Sequence, residues 1–397
     1  MREVVIVSAV RTAVGRLGGV FKDVPPEVLA ARVITAALER AGVPGEMVEE
    51  VIMGQAKQTQ DAANLARVAA LKAGLPVEVP AYTVNRQCGS GMQAVHNAAQ
   101  AIACGLIDVA VAGGVESMST APFYLRGARF GLGSGNAVLA DPNTESQPGS
   151  QPQETYGRLT MGMTAEILAE RYGISREEQD RFALASHEKA LAAIAAGAFK
   201  DEIVPVPVTA GKGETVLVDT DEHPRQTSLD ALARLKPAFK PDGTVTAGNA
   251  SGRNDGASAM VVMSAQRARE LGLRPLAYIR GQAVAGVSPE VMGLGPVPAT
   301  RKVLERTGLR LDQMDLVEIN EAFAAQTLAV LRELPVDPAR LNVRGGAIAL
   351  GHPIGNSGAR ILVTLVHALR QTGGRYGLAT LCIAGGQGIA TVVEAAG

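Results

Sequence analysis

The chain has 397 residues, room for two or three domains, and 47% of them are apolar, enough for a large buried core. Its 38 basic and 39 acidic side chains nearly cancel, which removes the electrostatic case for nucleic acid or an anionic membrane as partner. Aromatics make up 3%, Trp is absent and Gly numbers 45, a mix suited to close αβ packing rather than to a platform for stacking bases.

From the N-terminus, residues 1–8 lack the apolar core of a signal peptide and read as a strand. No run of ~18 apolar residues is present to span a membrane. Residues 28–41 have helical spacing, with Pro25 and Pro26 placed to start the helix. A strand is expected over 48–53, a helix over 89–105 and a buried strand over 109–112. Strands alternating with helices predict a mostly parallel sheet covered by helices. The last third repeats this plan. Leu38-Glu39-Arg40-Ala41-Gly42 recurs as Leu304-Glu305-Arg306-Thr307-Gly308, Ser90-Gly91 as Ser357-Gly358, and Ala112-Gly113-Gly114 as Ala384-Gly385-Gly386. Three matches in order at nearly constant spacing predict two similar halves packed on each other; the bland reading is that helix-Gly-strand patterns look alike in any αβ protein. Between the halves, residues 142–152 read as an exposed loop. Ser175-Arg176-Glu177-Glu178 is a capping box opening a helix that runs to about Ala196, and residues 212–242 are loop-rich. This stretch reads as an inserted subdomain able to cover a ligand.

The chemistry-bearing residues sit at glycine-rich turns. Cys88, in Asn85-Arg86-Gln87-Cys88-Gly89-Ser90-Gly91-Met92, lies between a strand and a helix, where the helix dipole favours a thiolate. A structural cysteine is the alternative. Of the five histidines, His96, His187 and His367 fall in helix patterns as surface or packing residues, and His223 adjoins Pro224 in a loop. Only His352, flanked by Gly351 and Pro353, sits in a turn that presents its ring. The repeat puts it near the counterpart of the cysteine turn, so packing of the halves would let it take the Cys88 proton. Cys382 ends an apolar strand, where αβ sites gather, and a second thiol there can serve as acid and base. A core cysteine is the competing reading. Cys104, in a helix, is read as structural. Asn320 follows a strand and opens a helix, either as an N-cap or as an amide aimed at an oxyanion. Two cysteines and a histidine suit zinc in principle, but no Cys-x-x-Cys spacing supports it. The odd, widely spaced cysteines, with no export signal, argue for free thiols and a cytoplasmic location.

Taken together, residues 85–92, 111–118, 248–252, 320–324, 345–358 and 382–388, in this order and spanning essentially the whole chain, resemble the thiolase family. The resemblance implies a five-layered αβαβα core of two similar halves with an inserted loop domain: residues 1–117 plus 249–270, an insertion over 118–248, and residues 271–397. It implies Cys88 as the acylated nucleophile, His352 as its activator and Cys382 as the acid-base at the α-carbon. Asn320, through a water, and His352 would form one oxyanion hole, and the N–H groups of Cys88 and Ala384 the other. Ser251, with Ala250 and Phe323, would line the coenzyme A path, and Arg225 would stand near its nucleotide end, in a loop one residue shorter than in many relatives. Coenzyme A thioesters are then substrates, with no other cofactor and no metal, and the protein a homodimer or homotetramer. Two departures stand out. Ala384 replaces a glycine common in relatives, so a methyl intrudes unless φ is negative there. Thr160 stands where acetoacetyl-specific relatives carry His, which points to longer 3-ketoacyl chains. Other readings are a non-catalytic acyl-CoA-binding protein of this fold, which would lack a catalytic residue, and a decarboxylating ketoacyl synthase, which would carry His or Asn in place of Cys382.

Overall fold

The computed structural model describes residues 1–209 and 213–397. The first half comprises β1 (Val4–Arg11), α1 (Pro26–Ala41), β2 (Glu50–Gly54), α2 (Leu65–Lys72), β3 (Ala81–Val84), α3 (Ser90–Ala103), β4 (Val109–Ser117) and, after the insertion, β5 (Asn254–Ser264). The second half comprises β6 (Ala277–Gly286), α6 (Pro296–Thr307), β7 (Leu316–Ile319), α7 (Ala324–Glu333), α8 (Ile354–Thr372), β8 (Tyr376–Ile383) and β9 (Gln387–Ala395). The insertion carries α4 (Met161–Tyr172) and α5 (Arg176–Ala195). The sheet order is β7-β8-β9-β6-β1-β5-β4-β2-β3. Only two residue pairs, Val5↔Tyr278 and Ile6↔Ala277, join the halves across β1 and β6.

The internal repeat is visible in this topology. In the first half β2 runs parallel to β4, which is antiparallel to β5, which is antiparallel to β1. In the second, β7 is parallel to β8, β8 antiparallel to β9, and β9 antiparallel to β6. Helices α1 and α6 both begin at proline and end at a left-handed glycine, Gly42 and Gly308. The Ser-Gly match marks where α3 and α8 cross. A Cβ on Gly91 would lie 2.9 Å from the Ala359 Cβ, and one on Gly358 would lie 2.7 Å from the Met92 nitrogen. The third match is a coincidence of composition, because Ala112-Gly113-Gly114 lies inside β4 whereas Ala384-Gly385-Gly386 is the turn after β8.

Period-two alternation builds the layers. In β1, Val5 and Val10 face α1 and α2, while Val4, Ile6 and Ala9 face α3 and α8. In β9, Ile389 and Val393 face α8, while Ala390 and Val392 face α6 and α7. The stack is thus helices, sheet, the α3–α8 pair, sheet, helices, five layers in all. Each fully buried Leu, Ile or Val contributes about 1.5–3 kcal/mol, and the central helix α8 is buried continuously from Gly355 to Leu369. The capping box at Ser175 is formed, with the Ser175 Oγ accepting from Glu178 N. Of the loop-rich stretch at 212–242, Lys212 lies outside the described residues; the remainder holds a strand, Thr215–Val218, and a helix, Leu229–Ala233. A buried ion cluster ties the insertion to both halves. Arg11 in β1 donates to Glu202 at 2.6 Å and to Asp221 at 2.7 and 2.9 Å, and Glu202 also accepts from Arg344 at 3.2 Å and Thr364 at 3.0 Å.

A candidate acyl-transfer site between the halves

The turns that end β3 and β8 and begin α8 converge on one cavity of about 170 Å³. Cys88, His352 and Cys382 all line it, with Ser251, Ala250 and Phe323, and with Met118, Met161, Met292 and Phe239 as apolar wall. Cys88, separated from His352 and Cys382 by most of the chain, is brought to them by packing α3 against α8.

The Cys88 turn is strained and braced. Gln87 has φ 45°, one of two non-glycine residues at positive φ among those described, a conformation that costs on the order of 1 kcal/mol or more. Its N–H donates to Asn85 Oδ1 at 2.9 Å, and the Ser90 hydroxyl donates to its carbonyl at 2.6 Å while accepting from Arg86 N at 2.8 Å. The helix-terminus argument expects a lowered thiol here. Instead burial dominates and pushes the Cys88 thiol up, while the Ala384 N–H and the Lys57 ammonium pull it back. Ala384 is outside the positive-φ set, and Gly385 and Gly386, both at φ 85°, make the turn, so the extra methyl is tolerated.

His352 is 8% exposed and held at both ends of the residue. Its N–H donates to Asn254 Oδ1 at 2.9 Å. Its Nδ1 lies 2.6 Å from Ser357 Oγ, and that oxygen lies 2.9 Å from the Pro353 carbonyl. A carbonyl only accepts, so with the hydroxyl hydrogen given to Pro353 the ring donates through Nδ1–H. This assigns the tautomer and leaves the Nε2 lone pair for the cavity. Burial, and then the Arg360 cation, lower the imidazole to about 4, so it is a neutral acceptor at neutral pH. Cys382 is 1% exposed, and burial pushes its thiol well up, with a further push from Cys88.

Asn320 is not an N-cap: α7 begins at Ala324 with Phe323 in the cap position. Asn320 instead follows directly on β7, fully buried, and neither its Oδ1 nor its Nδ2 finds a protein partner among the described residues. A buried amide left open is a place for a bound water. Ser251 donates to the Ala322 carbonyl through its N–H at 3.0 Å and its hydroxyl at 2.9 Å, and Ala250 bridges Phe323, so these three act as one strip of wall. Arg225 is not brought to the cavity. It is exposed beside His187 and His223, its Nη1 3.5 Å from His223 Nε2. His96, His187 and His367 are all buried packing residues, not surface ones, and Cys104, read as structural, is exposed. Sequence reasoning missed Glu116, which accepts from Ala56 N at 3.1 Å, Lys57 N at 3.0 Å and Gly355 N at 2.9 Å and so locks the loop after β2 to the start of α8. It also missed Ser357 and Asn254; a hydroxyl five residues after the turn histidine was the one available signal.

Two family models cover the chain, "Thiolase, N-terminal domain" over residues 4–266 and "Thiolase, C-terminal domain" over residues 273–395. An acetyl-CoA acetyltransferase of Pseudomonas aeruginosa is 55% identical over 98% of each chain. Among solved structures, the acetyl-CoA acetyltransferase of Bacillus anthracis superposes with TM-score 0.96 at 49% identity, covering 100% of this chain and 99% of that one. Human mitochondrial 3-ketoacyl-CoA thiolase in complex with CoA superposes with TM-score 0.94 at 46% identity, covering 100% and 98%. With models of both halves matched in order and relatives alike from end to end, this chain belongs to the thiolase family.

Proposed function

We propose that the protein is an acetyl-CoA C-acyltransferase, cleaving 3-ketoacyl-CoA with CoA and running the condensation in reverse. The observation that carries the reading is the meeting of Cys88, His352 and Cys382 on one apolar cavity, with the imidazole neutral. In cleavage, His352 Nε2 takes the Cys88 proton and the thiolate attacks the 3-keto carbon. The Cys88 and Ala384 N–H groups hold the oxygen as it becomes negative, a contribution of about 3 kcal/mol per donor. The C2–C3 bond breaks, its electron pair passes to the acetyl-CoA enolate, and the Cys382 thiol, kept protonated by burial, gives up its proton to C2. A water on Asn320, with His352, steadies the enolate oxygen. Incoming CoA returns a proton to Cys382 and attacks the acyl-Cys88 thioester, and the released Cys88 recovers its proton from His352. Protons and electrons balance over the cycle, and the covalent intermediate predicts ping-pong kinetics.

Ser251, Ala250 and Phe323 would lie along the pantetheine and Arg225 near the nucleotide, outside the cavity. CoA thioesters are substrates, and no further cofactor is needed for the steps above. Thr160 caps α4, accepting from Met163 N, one residue before the cavity-wall residue Met161; a threonine in place of the histidine that acetoacetyl-specific relatives carry supports 3-ketoacyl chains longer than acetoacetyl. The test is CoA-dependent cleavage measured from acetoacetyl-CoA to palmitoyl-length 3-ketoacyl-CoA, comparing kcat/KM. Comparable or faster cleavage of the longer substrates is expected. Strong preference for acetoacetyl-CoA would remove the Thr160 argument, and cleavage at no length would overturn the function.

A further inference from the structure

Lys57 is 6% exposed and makes no ion pair among the described residues. It sits in the loop after β2. Because β2 and β3 are parallel with Gly54 opposite Val84, the loops leaving them run side by side. Gln55 N donates to the Val84 carbonyl at 3.1 Å, and Asn85 Nδ2 reaches the Ala56 carbonyl at 3.4 Å. Lys57 thus follows one loop while Cys88 follows the other. Its Nζ is bonded to the Ser146 hydroxyl in the insertion. That segment puts Asn143 and Gln147 into the cavity wall and is held also by Asn143 Nδ2 on the Met118 carbonyl at 2.9 Å, by Met161 N on Gln147 Oε1 at 3.2 Å and by Arg158 on Glu145 at 2.7 Å.

A buried ammonium with a single hydroxyl partner is costly, so the charges around it decide what it does. Glu116 is the facing carboxylate, but its two oxygens are engaged by three backbone N–H groups. Arg253 and Asp141, the other charges within reach, lie 3.8 Å apart and offset each other. Around Cys88 itself the remaining groups are His352, neutral at pH 7, and the Cys382 thiol.

We propose that Lys57 is a positioning residue for the acyl transfer: its buried ammonium supplies the positive charge that favours the Cys88 thiolate, and its bond to Ser146 fixes the Asn143–Gln147 wall against the nucleophile. The inference rests on Cys88 being the nucleophile, as proposed above. The pull of Lys57 on the Cys88 thiol is in the required direction.

The test follows alkylation of the Cys88 peptide by iodoacetamide against pH, read by mass spectrometry on the intact folded protein. Lys57→Gln keeps a donor for Ser146 and removes the charge. The midpoint of its profile should rise by about one pH unit, slowing labelling at pH 7 about tenfold. Lys57→Arg should keep the wild-type midpoint. Ser146→Ala, which keeps the charge and frees the wall, should leave the midpoint in place and raise KM. An unmoved midpoint in Lys57→Gln overturns the electrostatic role. If Lys57→Gln does not fold, Lys57→Met is read in its place; failure of both to fold makes Lys57 structural and also overturns the proposal. A Cys88→Ala protein that still forms acyl-enzyme would instead overturn the nucleophile assignment, a separate outcome.

Discussion

Replacing Ser357 by Ala tests the tautomer assignment. The Ser357 oxygen is the acceptor that keeps the His352 proton on Nδ1, at 2.6 Å. Without it the buried Nδ1–H loses its partner, at a cost of about 1–3 kcal/mol. The ring escapes part of that cost by moving its proton to Nε2, which faces the cavity, and an Nε2–H cannot accept from Cys88. If the competent tautomer loses about 1.4 kcal/mol relative to the other, acylation slows about tenfold. Since only the population of acceptor changes, kcat/KM should fall while the fold, read by thermal unfolding, shifts by no more than the two hydrogen bonds of the Ser357 hydroxyl. The assay is the burst of acyl-enzyme from acetyl-CoA in Ser357→Ala against wild type. ¹⁵N chemical shifts of the His352 ring supply the direct reading, with a protonated Nδ1 in wild type. A burst rate within a factor of two of wild type, or a wild-type ring protonated at Nε2, would refute the reasoning.

Glu202→Ala leaves buried Arg11 and Arg344 short of their shared carboxylate and Thr364 without its acceptor. A loss of about 3–5 kcal/mol in unfolding free energy is expected from denaturant titration, and a loss under 1 kcal/mol would show that the cluster does not bind the insertion to the halves. His96, buried against Thr391 at 2.7 Å, is lowered to about 3 by burial and then by Arg86. The unfolded chain binds this proton below about pH 6.5 and the folded chain does not. Stability is therefore unaffected at pH 7 and falls by about 1.4 kcal/mol per pH unit as pH drops from 6.5 toward 3. His96→Gln should remove that much of the slope between pH 6 and 4, and an identical slope in both proteins would contradict the burial argument.

What the sequence revealed followed the range of the interactions. The halves could be read because proline starts, glycine ends and period-two apolar strands are local signals. Gly91 and Gly358 were matched as letters, and their physical meaning, a helix crossing at backbone distance, appeared only with packing. Cys88, His352 and Cys382, which meet on the cavity, each stand at a glycine-rich turn, a pattern that local sequence carries. Asn320 was read ambiguously since an Asn after a strand looks the same whether it caps a helix or is buried at a strand end. Glu116, Asn254 and Lys57 gave no local sign. Glu116 reaches Gly355 across 239 residues of sequence, and a lysine in a polar loop resembles any solvated one until the surrounding charges are placed.

The position of β1 has a consequence for synthesis. Its neighbours in the sheet are β5 and β6, so Val4 pairs with Ser264 and Val5 with Tyr278. At roughly 5–20 residues per second, an emerging chain carries β1 for on the order of ten seconds to a minute before either neighbour exists. During that wait an eight-residue strand, VVIVSAVR, has both edges unpaired, the condition in which strands recruit other chains. Helix α1 can cover one face early and the 202–204 segment can pair with Arg11 at the end of the strand, but the edges along Val4–Val10 wait for β5 and β6, so ribosome-bound chains shorter than this are where a holding chaperone would have its substrate.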